Sequence, residues 1–417
     1  MKSSRLIAFE TLYKIFKDNS YSNLAVDAVL KSADEDKDKD KDKAFISVLV
    51  YGVVERKLTL DYFINKYVTS QPKPKIMTIL RLGAYQLLFM DRVPASAAIN
   101  ESVKLTYDIN QSYYSKLVNA VLHKIDKDRI IPDNLSVKFS VPENLINMWI
   151  KQYGKDTVES FLPALNERPP IFAVPNSLYA DNDELCYELL SEGIECETYG
   201  DVVMINSSFD LSKSKSYVNG LFYIEDLSSY ACAKALGAVS GDTVIDVCSA
   251  PGGKAFTIAQ SMENNGRIFA FDLYSHRVEL INKGVGRLGY SIINAGVNDA
   301  AIYKNDMPIA DKIICDVPCS GFGIVRRKPE IRYKELDSVK DLPAVQLKIL
   351  TVSSKYLKAG GRLVYSTCTL NKKENEKVVS KFLSENSNFT LDYEKTSFPS
   401  KNGGDGFYYA VINKNYD

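Results

Sequence analysis

Two cysteines follow runs that read as strand ends: Cys319, in DVPCSG (Asp316–Gly321), and Cys368, in YSTCT (Tyr365–Thr369). In an open α/β sheet, ligands sit beyond the carboxyl ends of the strands, so both thiols are delivered to one edge. The ordinary account of a cysteine is a small buried apolar residue. It suits Cys186, Cys196, Cys232 and Cys315, the last inside a strand-like run. It suits Cys319 and Cys368 less well, because the same edge carries a ligand loop. The run DVCSAPGGK (Asp246–Lys254) follows an apolar strand and opens the helical AFTIAQSM. Gly252 and Gly253 permit a tight turn and close backbone approach, and the first amides of the helix favour an anionic group. The next strand ends at Asp272, about twenty residues on, where an acid can bond ribose hydroxyls. A ribosyl ligand with an anionic group satisfies both features. The spacing is neither GxGxxG nor a phosphate loop. On these residues alone a nicotinamide cofactor, or a mere packing turn, stays open.

A pair of thiols beside a nucleoside-type pocket has a definite chemical use. Carbon 5 of cytosine is a poor nucleophile. A thiolate that adds to carbon 6 makes carbon 5 carbanion-like and able to take a methyl group from a sulfonium. A proton must then leave carbon 5 and the thiol must be expelled, a step that a second thiol can assist. Attack at neutral pH requires a depressed thiol pKa. Asp316, beside the pocket, is placed to hold the cytosine ring or the cofactor. A strand-end position does not decide which thiol attacks.

The elements that must position these residues lie from about 236 onward. DTVIDVC, RIFAFD, DKIICD and GRLVYST alternate with helical stretches, the pattern of a doubly wound α/β sheet. Residues 141–235 are mixed: IFAV (Ile171–Val174) and VVMI (Val202–Ile205) read as strands, and Asp181–Gly193 as a capped helix, so a small α/β linker domain is expected. Residues 1–140 read as all-helical. Phe9, Leu12, Tyr13 and Phe16 recur at helical spacing, as do Met77, Leu80, Ala84, Leu87 and Leu88, with Pro72, Pro74 and Pro94 as punctuation. The alternating charges of Asp34–Lys43 read as a solvated loop or helix entry.

Composition narrows the class. The 417 residues carry 52 Lys and Arg against 52 Asp and Glu, a formal net charge of zero. That argues against a mainly charge-driven, non-specific nucleic-acid binder but leaves room for a local basic face. The best such candidate is Arg326, Arg327 and Lys328, with Arg332 and Lys334, as contacts to RNA phosphates. Tyr290 and Tyr333 are weaker candidates for base stacking among 26 tyrosines. The longest largely apolar run, Ala44–Val54, falls short of the about 20 residues a membrane span needs. The start lacks a secretory signal. Seven cysteines without regular spacing do not form a disulfide framework, and with only His123 and His276 a zinc site has little to work with. No metal, a cytoplasmic location and reduced thiols are expected.

DVCSAPGGK, DVPCSGFGIVRRKPEIR (Asp316–Arg332) and YSTCTLNKKENE (Tyr365–Glu376) closely resemble three motifs of the RsmB/NOP family of RNA cytosine-5 methyltransferases. Ile79–Val103 resembles the NusB-like RNA-binding domain of its bacterial RsmB branch, and FYIEDLSSYACAKAL and DGFYYA also match. The resemblance implies an all-α NusB-like domain, the small α/β linker and a C-terminal Rossmann-like class I methyltransferase domain over 236–417. It implies S-adenosylmethionine as methyl donor, held by Cys248, Ser249, Ala250, Pro251, Gly252, Gly253 and Lys254. Asp272 would take the ribose, Asp299 would lie near the adenine and Asp316 would close the site. Cys368 would be the nucleophile and Cys319 would assist release. The implied partner is RNA, by family habit 16S ribosomal RNA, with no DNA and no membrane, acted on by a monomer. Ser249 stands where Ala is usual, and Glu225 where Gln is frequent.

Three other readings compete. A nicotinamide-dependent oxidoreductase explains the glycine loop and Asp272 but leaves both thiols idle. A non-catalytic RNA-binding assembly factor explains the helical domain but not the thiols. A DNA cytosine methyltransferase would carry a PCQ motif, and this chain reads PCSG.

Overall fold

The computed structural model describes residues 2–18, 22, 25–26, 28, 40–207 and 209–416, so the charge run Asp34–Lys43 lies largely outside the described residues. The chain forms two compact units: residues 1–166 with 325–334, and 167–324 with 335–417. These bounds differ from the three spans drawn on the sequence. Residues 141–166 pack in the first unit, the small sheet belongs to the second, and residues 325–334 return to the first.

The first unit is helical among its described residues, as the apolar spacing predicts. Helices Ser4–Asp18, Asp40–Glu55, Lys57–Tyr67, Pro74–Phe89, Ala95–Asp108 and Ser115–Lys127 share one core that includes Phe9, Leu12, Met77, Leu80, Ala84 and Leu87. Pro74 opens its helix and Pro94 precedes the next, positions where the missing N–H has no helical partner to lose. The returning segment makes a short turn at Pro329–Tyr333, and its chemistry removes Arg332 from the basic residues read as contacts to RNA phosphates. Arg332 is fully buried. Its guanidinium donates to the carbonyls of Leu165 (3.1 Å), Glu55 (3.2 Å) and Phe139 (3.3 Å) and to Asn166 Oδ1 (2.9 Å). Tyr333 donates to Val54 O (2.8 Å), and Arg326 is only 7 % exposed. The cationic fork satisfies carbonyls left at helix ends, so Arg332 is a strut of the helical unit and not a phosphate contact.

In the second unit, strands β1 (Ile171–Pro175), β2 (Cys196–Tyr199), β3 (Val202–Ile205) and β4 (Phe222–Ile224) form an antiparallel sheet in the order β2-β3-β1-β4. The helix Asn182–Ser191 beside it starts at a reciprocal capping box between Asp181 and Glu184. Cys186 and Cys196 depart from the buried-hydrophobe account: they are half-buried, with sulfurs 3.0 Å apart.

The larger sheet contains β5 (Thr243–Asp246), β6 (Arg267–Asp272), β7 (Ile293–Val297), β8 (Ala310–Asp316), β9 (Leu357–Thr367), β10 (Phe389–Ser397) and β11 (Phe407–Lys414). Its order is β10-β11-β9-β8-β5-β6-β7, with β5 to β9 parallel and β11 antiparallel to β9. This is the expected Rossmann-like methyltransferase architecture. The order reverses between β5 and β8, which places the crevice at the ends of these strands.

Candidate active site

Register brings the two thiols together. β8 and β9 run parallel with Asp316 level with Ser366, so the loops leaving them emerge side by side. Cys319 and Cys368 end with sulfurs 3.3 Å apart, both half-buried. The Cys319 thiol is pushed well above its ordinary value, first by its hydrogen bond to the Cys368 sulfur, then by burial and by the negative charge of its neighbours. A thiol so placed stays protonated at neutral pH and can donate its S–H to the other sulfur.

The loops are clamped from behind. Gly323 N donates to Cys368 O (3.0 Å), and Gly406 N, in the DGFYYA motif, donates to Gly323 O (3.0 Å). A Cβ on Gly323 would stand 1.9 Å from Gly406 O, so only glycine allows this approach. Asp405 N in turn donates to Asp226 Oδ2 (3.0 Å). The EDLSS and DGFYYA motifs thus act by holding the thiol loops.

Lys254 and Asp316 occupy the same edge. Lys254 Nζ sits 2.7 Å from Asp316 Oδ2, and Ser366 Oγ donates to Asp316 Oδ1 (2.8 Å). Burial alone would lower the pKa of Lys254. The carboxylates of Asp316 and Glu225 outweigh it and hold the group above the usual lysine range, so it is a fixed cation and not a base. Glu225 is itself buried, which raises its pKa. It accepts from Thr257 Oγ1 (2.7 Å) and Ser229 Oγ (2.8 Å).

Next to these lies the turn Cys248–Lys254. Gly252 has φ +113°, the left-handed region, and the helix Gly253–Ser261 begins immediately after it. Three buried polar atoms at this edge lack hydrogen-bond partners among the described residues, Asp246 Oδ2, Ser249 Oγ and Asn298 Oδ1, and a fourth, Asp272 Oδ2, has only an ion pair with Arg277. Buried polar atoms are normally paired. Here they surround the ends of β5, β6 and β7 and fit a ligand rich in hydroxyl and amino donors. Burial pushes Asp246 up to about 7. Arg277 Nη1 lies 3.1 Å from Asp272 Oδ2 and Nη2 donates to Ala250 O (2.8 Å), which fixes the acid against the turn. Asp299 Oδ1 accepts from Ala301 N (2.9 Å) and so caps its own turn. Its neighbour Asn298, missed in the sequence, has the unpartnered buried oxygen. Its one visible signal is its place just after a strand. Tyr290 is buried at 1 % exposure and does not stack bases. No group of three or more metal-ligating side chains occurs among the described residues.

The geometry gives an expected result for Asp272. Replacement by Ala should weaken cofactor binding by about 1–3 kcal/mol through loss of charged hydrogen bonds. Calorimetry on the purified protein checks it, and unchanged affinity would remove Asp272 from the site.

A family model described as 16S rRNA methyltransferase RsmB/F matches residues 233–413, and the NusB family matches 2–127. A Bacillus subtilis protein described as a probable ribosomal RNA small subunit methyltransferase B is 35 % identical over 94 % of this chain and 90 % of its own. A Synechocystis protein of the same description is 29 % identical over 99 % of this chain and 100 % of its own. The crystal structure of PH0851 superposes with a TM-score of 0.83 at 25 % identity, covering 99 % of both chains.

Proposed function

The chain belongs to the RsmB/F family of 16S rRNA methyltransferases, and from that premise we propose that it methylates carbon 5 of a cytosine in RNA, with 16S ribosomal RNA as substrate, through a covalent bond between Cys368 and carbon 6. The observation that carries this reading is the thiol pair, 3.3 Å apart at the strand ends beside a cradle of unpartnered acceptors. A passive assembly factor has no use for such a pair.

S-Adenosylmethionine, when bound, supplies an electrophilic methyl group. The fit is to Asp272 for the ribose hydroxyls, to Asn298 with Asp299 for the adenine end, and to the turn Cys248–Lys254 for the amino-acid end. The chain's own residues do the rest. The Cys368 thiolate adds to carbon 6, and the displaced electron pair makes carbon 5 nucleophilic. Asp316 accepts a hydrogen bond from the exocyclic 4-amino group of the cytosine, while the Lys254 cation stabilises the negative charge that the addition creates on the ring. After methyl transfer a water molecule takes the carbon 5 proton, the electron pair of that carbon–hydrogen bond re-forms the carbon 5–carbon 6 double bond, and the carbon–sulfur pair returns to Cys368 as thiolate. Cys319, protonated and within hydrogen-bond reach, stabilises the departing thiolate.

The NusB match supports the helical domain as the RNA-binding part. The same proposal makes the protein a cytoplasmic monomer that acts on RNA and not DNA, with the linker domain as a third part. No helix among the described residues is long and apolar enough to cross a membrane. Bisulfite sequencing of 16S ribosomal RNA from cells with and without the protein tests the substrate. One protected cytosine should become convertible when the protein is absent. An unchanged pattern would remove this RNA as substrate.

A further inference from the structure

Behind the thiols lies a carboxylate that the chemistry above does not use. Glu374 is fully buried. Its Oε2 accepts from the backbone N of Ser320 (2.8 Å) and from Gln346 Nε2 (3.0 Å). Its Oε1 accepts from Ser320 Oγ (2.6 Å) and Asn371 Nδ2 (2.8 Å). Ser320 is the residue after Cys319, and Asn371 lies on the loop that carries Cys368. Gln346 also donates to Pro318 O (3.0 Å), and the Ser320 and Thr369 hydroxyls are 2.7 Å apart. Tyr365 donates its hydroxyl to the carbonyl of Glu374 (2.6 Å). One carboxylate is therefore the node at which both thiol loops meet.

The donors around it are neutral. Removing a carboxylate from water is costly without a cation, and four hydrogen bonds offset that cost only in part. A neutral acceptor would tie the same loops with less desolvation. What the charge adds is a field at the amide next to Cys319 that opposes a second negative charge there. The Glu374 charge acts in the same direction as burial and the Cys368 hydrogen bond, which hold the Cys319 thiol up.

We propose that Glu374 is a positioning residue: it locks the Cys319 and Cys368 loops in register and keeps the negative charge of the thiol pair off Cys319. The division of labour between two chemically identical side chains then comes from a residue that touches neither substrate nor cofactor. The inference rests on the reading of these thiols as the reacting groups, but its first test does not require RNA.

In full-length protein carrying Cys368→Ala, the rate of Cys319 alkylation by iodoacetamide is followed against pH, with peptide mapping to isolate this cysteine. Adding Glu374→Gln should move the profile down by about one pH unit, which is about tenfold faster alkylation at a fixed pH below the midpoint. Glu374→Asp, which keeps the charge, should leave the profile in place. A merely structural role would raise the rate equally at all pH values in both variants, and that result, or an unmoved profile, would overturn the proposal. Cofactor affinity reports whether each variant is folded. If Glu374→Gln binds no cofactor, Glu374→Asp in the otherwise unaltered protein decides: its shorter reach should lower kcat at least tenfold with KM and cofactor affinity unchanged. Full activity would overturn the proposal. Neither outcome depends on which base in RNA is methylated.

Discussion

Cys368→Ala should give neither methylated RNA nor a protein–RNA adduct, whereas Cys319→Ala should accumulate the adduct. The first variant has no sulfur to bond carbon 6, so kcat should fall by on the order of 10⁴ or more, as when a nucleophile is removed. The second retains the nucleophile but lacks the S–H that lies 3.3 Å from it. It should attack, transfer the methyl group and then stall, giving a slowly migrating band on a denaturing gel. The double variant should behave like Cys368→Ala, because release cannot matter before attack. Both thiols share a pocket, so cofactor binding by each variant separates loss of chemistry from loss of fold. An adduct with Cys368→Ala and none with Cys319→Ala would exchange the roles.

Arg332→Ala should destabilise the helical unit by about 3 kcal/mol or more, since it leaves several buried carbonyls and Asn166 Oδ1 without their shared donor. Arg332→Lys should recover only part of this, because a point charge cannot reach the carbonyls that the planar fork spans. The two-unit chain need not unfold in one step. The expected effect is therefore a lower denaturant midpoint for the helical transition in far-ultraviolet circular dichroism, with its slope unchanged. The reading of this segment as a phosphate contact predicts the opposite: unaltered stability and a flatter salt dependence of RNA binding.

The contrast between these two results shows what the sequence could carry. Cys319, Cys368, Asp272 and Asp316 were legible because they follow apolar strand runs, and a parallel sheet brings strand ends to one edge. Their pairing at 3.3 Å needed the β8–β9 register, which no local pattern prints. Arg332 misled because a basic cluster looks the same whether it faces water or carbonyls; its partners at 55, 139, 165 and 166 are distant in the chain. Glu374 was hidden for the same reason, inside the charged run NKKENE that reads as a solvated face. β7 and β10 were missed because they are edge strands without a continuous apolar run: β10 is largely uncovered polar residues, and β7 is five residues broken by Asn294 and Gly296. The helices of the first unit, with their periodic apolar faces, were the most readable part.

The central claim is that the methyl group goes to carbon 5 of a cytosine, where it must displace the hydrogen already there. RNA labelled with tritium at carbon 5 of cytidine, incubated with the protein and S-adenosylmethionine, measures this directly. Tritium should appear in water in one-to-one proportion to methyl groups incorporated, and Cys368→Ala should release none. Methyl incorporation with the tritium retained in the RNA would contradict the account, because it would place the methyl group on another atom and leave the thiol pair without its proposed role.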